Sequence, residues 1–303
     1  MKATTNVAAD AVNFQNRHIL YVEGGGQSID VEVLKPFFDN ILAVQPLCQA
    51  SSIRSVAESL YPTHPTYYFL IDRDHHLEDN YVETCWKNFP DPEKSNLLIW
   101  RRKELENYFL EPSLLIKSNF CKKEYKEDNG RGLQEKIVSL SQERLYLDVV
   151  NYVIVSLRED FKQNWIEKFS NPSDFPDETS ALTWLTNMQE LKDFSEKVLQ
   201  QTTEQEITVR FRNFLDQMTG GEETLQWGIG KWLSMISGKS IFHTLVNLCF
   251  QVTNQQGKIF QGKEAINLVA RDLLQTGENL PSDILDLREL IRAQVNSYQG
   301  SIA

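Results

Sequence analysis

The sequence predicts an α/β N-terminal domain, a mainly parallel sheet flanked by helices, followed by an α-helical domain. Short apolar runs alternate with amphipathic stretches through the first third of the chain. Strand signals fade after about residue 116. Long, polar-rich helical patterns then take over. Strands alternating with helices imply parallel βαβ units, whose sheet must be covered by helices. The expected division is residues 1–115 and residues 116–303.

The elements follow in order. His18–Glu23 (HILYVE) reads as a strand running into Gly24-Gly25-Gly26. Val31–Ile41 has apolar residues at helical spacing, and Ile41–Leu47 is a second short apolar run. Ser51–Leu60 reads as a helix with a serine near its start, and Tyr67–Ile71 (YYFLI) is the clearest buried strand. Asp79–Asn88 reads as a helix, Asn96–Trp100 (NLLIW) as a strand, and a further helical stretch begins with Leu105–Leu115. Beyond it, Leu133–Phe169 reads as one or two helices and Asn171–Asp177 as a turn-rich break. Ala181–Leu199, Glu204–Met218, Trp232–Val252 and Lys263–Leu274 complete the helical part.

Composition narrows the function classes. A content of 41% hydrophobic and 24% charged residues is ordinary for a soluble globular chain. No apolar run approaches the roughly 18 residues of a membrane span, and no secretory signal is visible at the start. Cys48, Cys85, Cys121 and Cys249 are far apart, which disfavours a zinc site or disulfide framework and fits a reducing cytoplasm. A net charge of −11 argues against coating by nucleic acid through bulk attraction. Phosphate contacts need only local cations. Arg101-Arg102-Lys103, Lys122-Lys123 with Lys126, and Arg210 with Arg212 are such clusters; for each, a solvated helix face is the simpler reading.

The chemistry-bearing residues share a topological position. Glu23 ends HILYVE, Asp72 and Asp74 follow YYFLI, and Glu104 and Glu106 follow NLLIW. A parallel sheet presents all these strand ends on one edge, where ligands bind. Gathered carboxylates repel, and a divalent cation offsets the repulsion. Oxygen-only ligands suit Mg²⁺ or Mn²⁺. The glycines after Glu23 let backbone N–H groups approach a phosphate or take positive φ.

VEGGG (Val22–Gly26) followed by LIDRD (Leu70–Asp74) resembles the TOPRIM signature, a Glu-Gly pair after one strand and Asp-x-Asp after a later one. WRRKELENYFLEP (Trp100–Pro112) resembles the region after the last TOPRIM strand in the OLD-like nucleases, and more closely the short DUF4435 group. The resemblance implies a metal-dependent endonuclease that cleaves RNA such as tRNA, or DNA. It implies Glu23, Asp72, Asp74 and Glu106 as metal-site and catalytic residues, with Mg²⁺ or Mn²⁺ as cofactor. It further implies a toxic effector of anti-phage defence, of the kind found in the PARIS system. An ABC-type ATPase partner and a homodimer belong to the same expectation. Many TOPRIM domains place an Asp four residues after the Glu; this chain has Gln27 there, and Asp30 is the substitute within reach.

In that scheme Asp72, Asp74 and Glu106 coordinate metal, while Glu23 either does so or acts as general base. In an α-helix Glu104 and Glu106 would point about 200° apart, so only one could face the metal. Arg73 is expected to point away, and His75 and His76 to be loop residues. The aromatics Trp165, Trp184, Trp227 and Trp232 are expected in the core. Gly238-Lys239-Ser240 lacks the first glycine of a P-loop, since position 233 is Leu233. Lys239 is a helix-capping or surface residue, or one that reaches a nucleic-acid backbone. Two other classes fit less well: a HAD-like phosphatase, with Asp72 as nucleophile, and a non-catalytic module that binds nucleic acid or a partner.

Overall fold

A computed structural model of the chain describes residues 18–26, 28–47, 50–61, 63–73, 79–90, 96–163, 177–254, 256–277 and 279–300. The first elements are β1 (Ile19–Glu23), α1 (Ile29–Phe37), β2 (Ala43–Leu47), α2 (Ala50–Leu60), β3 (Tyr67–Ile71), α3 (Asp79–Asn88) and β4 (Leu97–Ile99). The strands form one parallel sheet in the order β2-β1-β3-β4. Val22 lies opposite Leu70, and Ile71 opposite Ile99. Tyr68 through Ile71 and Leu97 through Ile99 are all buried, as strands covered on both faces must be. Helix α1 starts at Ser28, whose hydroxyl accepts the Val31 N–H at 3.5 Å, and it carries Asp30 and Glu32 in its first turn. Its apolar side buries Ile29, Val33, Leu34 and Phe37.

After β4 the chain does not enter the expected α-helix. Leu105–Phe109 is a tight 3₁₀ turn, followed by α4 (Pro112–Leu115), α5 (Lys123–Glu127) and α6 (Arg131–Gln163). Pro112 accounts for the break: it disfavours helical backbone at Glu111, which is extended at φ −100° and ψ 113°. The turn is wholly buried, from Leu105 to Phe109.

The chain divides into two compact units, residues 1–143 with 232–303 and residues 144–231. The divisions fall at 143/144 and 231/232, not at the expected 115/116, because the last quarter of the chain belongs with the sheet. The second unit contains α7 (Glu178–Asn187), α8 (Gln189–Gln201) and α9 (Glu204–Thr219). The single helix expected over Ala181–Leu199 is interrupted at Met188, whose ψ of 117° is extended and whose side chain is buried. Asp177 caps α7 through the Ser180 N–H at 2.7 Å. Asn171 through Pro176 and Trp165 lie outside the described residues.

The sheet unit is completed by α10 (Trp232–Met235), α11 (Gly238–Cys249), α12 (Gly262–Gln275) and α13 (Ser282–Gly300). The helix expected over Trp232–Val252 is thus split at Ile236-Ser237. Asn107 explains the split. Its amide nitrogen donates to the carbonyls of Leu233 and Ile236, both at 2.9 Å, while its Oδ1 accepts the Glu104 N–H at 3.1 Å. Gly238 then packs so closely that a Cβ would stand 2.5 Å from the Asn107 backbone nitrogen. Helix α12 lies along α1, with Arg271 bonded to Glu32 at 2.9 Å. Trp232 is buried in this unit, as its apolar surroundings require. Among the described residues no helix is long and apolar enough to cross a membrane.

Asn107 yields a first expected result. Asn107→Asp keeps the shape but faces a carboxylate toward two carbonyls that lose their donor. Its cost should be about 3 kcal/mol or more. For a chain of this size that is a fall in Tm of about 6 °C or more. A melting curve superimposable on that of the wild type would show that Asn107 does not anchor the split.

Candidate active site

The strand order places one pair of strand ends apart from the rest. From β1 the chain crosses to β2 on one side, and from β2 it crosses back to β3 on the other. The crevice of an open parallel sheet lies at such a switch point, outside the carboxyl ends. Here those ends are Glu23, the last residue of β1, and Asp72, the first after β3. The Asp72 N–H points to Glu23 Oε2 at 3.4 Å. Gly24 turns the chain at once, with φ +109°, a conformation that favours glycine, and a Cβ there would lie 2.7 Å from Ser28. Gly25 and Gly26, by contrast, have open space around them.

Two further carboxylates reach the same place. Asp30 comes from the first turn of α1, and Glu106 from the 3₁₀ turn after β4. Asp72 feels the charges of Asp30, Glu23, Glu106 and Glu104, so all four lie within its electrostatic reach. Burial pushes the Asp30 carboxyl up to about 7 and the Glu106 carboxyl up to about 8. Burial first, and then the charges of Asp30 and Glu23, raise Asp72 well above the usual carboxylate range. Asp30 and Asp72 keep some solvent-accessible surface although protein atoms crowd around them, whereas Glu106 is 2% exposed.

Glu104 and Glu106 differ in their commitments. Glu104 precedes the turn and its Oε1 accepts the Lys239 N–H at 2.7 Å and the Ser237 hydroxyl at 3.3 Å. Glu106 lies inside the turn, and its Oε1 is buried with no hydrogen-bond partner. The α-helical angle between them does not apply, because Glu104 stands outside the turn with extended backbone, φ −150° and ψ 167°.

The structure thus brings together Glu23, Asp72 and Glu106 of the expected site and adds Asp30. Asp74, His75 and His76 lie outside the described residues. Asp30 was legible only as a substitute for an acidic position four residues after Glu23. The turn at Gly24 and the cap at Ser28 deliver it, and neither sets a fixed sequence spacing. The arginines after β3 and β4 are paired within the protein. Arg73 bonds Asp79 at 2.6 Å, and Arg101 pairs with Glu83, Asp283 and Asp286 above the Trp86 ring. Arg102 binds Glu111 at 2.7 Å and the Asn107 carbonyl at 2.9 Å. In the second unit Arg210 is held by Ser156 and Asp160.

The donors suit a hard divalent cation: all are carboxylate oxygens, and one buried oxygen lacks a partner. Among the described residues, however, no three His, Cys, Asp or Glu side chains converge tightly enough to enclose a metal as they stand. No protein-family model, curated protein or solved structure matches the chain.

Proposed function

We propose that the sheet unit is a TOPRIM-like domain and that the chain is a metal-dependent endonuclease. One observation carries the reading: Glu23 and Asp72 meet at the switch point of the parallel sheet, with Glu106 buried beside them and one of its oxygens unpartnered. Like charges gathered in a partly desolvated crevice are unfavourable unless protonated or matched by a cation. The open space at Gly25 and Gly26 supports it further, since neither packing nor positive φ demands glycine there. Close approach of a phosphate does.

Asp72, Asp74 and Glu106 are the residues that would hold Mg²⁺ or Mn²⁺. Such an ion supplies charge neutralisation at phosphoryl oxygens and acidifies bound water. Glu23, partly exposed at the end of β1, either shares in holding the ion or accepts the proton of the attacking water. Asp30 adds a further carboxyl whose protonation lies near neutrality. The substrate is a nucleic-acid phosphodiester, RNA such as tRNA or DNA. By resemblance alone the reading extends to a toxic effector of anti-phage defence restrained by an ABC-type ATPase, active in the cytoplasm, with a homodimer as its assembly.

The test is cleavage of labelled RNA and DNA with Mg²⁺ or Mn²⁺, repeated in EDTA. Metal-supported cleavage that chelation abolishes is the expected result. Full activity in chelator sinks the proposal. Release of inorganic phosphate from a monoester, without chain cleavage, points instead to a phosphatase in which Asp72 is the nucleophile.

A further inference from the structure

Among the described cations next to the strand ends, Arg73, Arg101 and Arg102 are each paired with a carboxylate. One cation is placed differently. Lys239 is the second residue of α11, whose start is pinned to the turn that bears Glu106. The pinning is tight: the Lys239 N–H donates to Glu104 Oε1 at 2.7 Å, and Gly238 packs directly on Asn107. The side chain of Lys239 is exposed, and among the described residues its ammonium enters no ion pair. Its positive charge acts on both Asp30 and Glu106. Lys239 also stands at the N-terminal end of a twelve-residue helix, where partial positive charge gathers. The buried, unpartnered Glu106 Oε1 is an independent sign that this site lacks a partner group.

We infer that Lys239 is the phosphate-binding residue of this site, its ammonium pairing with a non-bridging oxygen of the scissile phosphodiester. The inference rests on the nuclease reading above. Metal affinity distinguishes this role from a merely supporting one. A lysine placed for the substrate repels the metal slightly, so its loss leaves metal binding intact or tightens it. A lysine that merely props up the carboxylates weakens metal binding when removed.

Lys239→Ala and Lys239→Arg, compared with wild type, separate these cases. Mn²⁺ alone is titrated into each protein by calorimetry, and cleavage of a labelled oligonucleotide is followed with Mn²⁺. Removing one donor aimed at a reacting phosphoryl group should slow cleavage by about a hundredfold or more. Mn²⁺ affinity should be equal or higher in Lys239→Ala, and Lys239→Arg should recover part of the rate. Cleavage by Lys239→Ala within twofold of wild type overturns the inference while leaving the nuclease reading standing. Activity loss accompanied by tenfold weaker Mn²⁺ binding overturns it too, making Lys239 a support of the metal site. A wild type that neither binds Mn²⁺ nor cleaves overturns the nuclease reading, and this inference falls with it.

Discussion

Glu23→Gln should cleave at least about a hundredfold more slowly than wild type at saturating Mg²⁺, the range expected for loss of a general base. The substitution preserves shape and most hydrogen bonding, so a Glu23 that merely ends β1 would tolerate it. Gln has neither the charge that holds a divalent ion nor a basic oxygen to take a proton. The Asp72 N–H reaches Glu23 Oε2 at 3.4 Å, a contact that an amide oxygen can also accept, so the fold should survive. Glu106→Gln should lose a comparable factor. Glu104→Gln should lose less, because Glu104 holds the start of α11. In a cell, wild type released from restraint should be toxic and Glu23→Gln should not. Equal cleavage by Glu23→Gln and wild type would remove the ground for the TOPRIM-like assignment.

Asp72→Asn should abolish cleavage and, in chelator, raise the melting temperature. The carboxyls of Asp30, Asp72 and Glu106 are all raised in the folded protein by burial and mutual repulsion. A carboxyl raised on folding binds its proton more tightly in the native than in the unfolded chain. Its favourable contribution is therefore present below the unfolded value, about pH 4, and is lost as pH rises through the folded value. For Asp30 and Glu106 those folded values are about 7 and about 8. Metal-free wild type should thus lose stability between about pH 4 and pH 8, each kcal/mol appearing as about 2–4 °C in Tm. Asp72→Asn removes one charge from the cluster, so its Tm should fall less steeply over that window. Mg²⁺ should restore wild type at pH 8 and have little effect on the variant. A variant that unfolds, or a wild-type Tm that rises from pH 5 to pH 8 in chelator, would show that Asp72 is structural rather than a poised ligand.

Tyr67–Ile71 and Asp79–Asn88 were legible to the residue, because an unbroken apolar run and a helical period are local signals. Trp232–Val252 and Ala181–Leu199 misled, because each apolar period continues across a break in the backbone. In the first, Asn107, more than a hundred residues earlier, takes the carbonyls at Leu233 and Ile236. The extended backbone at Glu111, just beyond the 3₁₀ turn, has a local cause in Pro112, so the break there was readable in principle.

The sequence by itself determined that carboxylates stand at the ends of three strands, because strand ends and acidic residues are both properties of short segments. It determined the parallel sheet as well, through the alternation of strand and helix. Only the tertiary structure decided the strand order, and with it the meeting of Glu23 and Asp72 at the switch point. It alone placed Asp30 in the cluster, and turned Glu104 toward α11 while leaving Glu106 Oε1 buried and unpartnered. It alone returned residues 232–303 to the sheet unit and set Lys239 beside the carboxylates. Such juxtapositions come from packing between segments distant in the chain, whose free energy depends on the apolar surface that two elements bury together. No window of neighbouring residues contains that quantity.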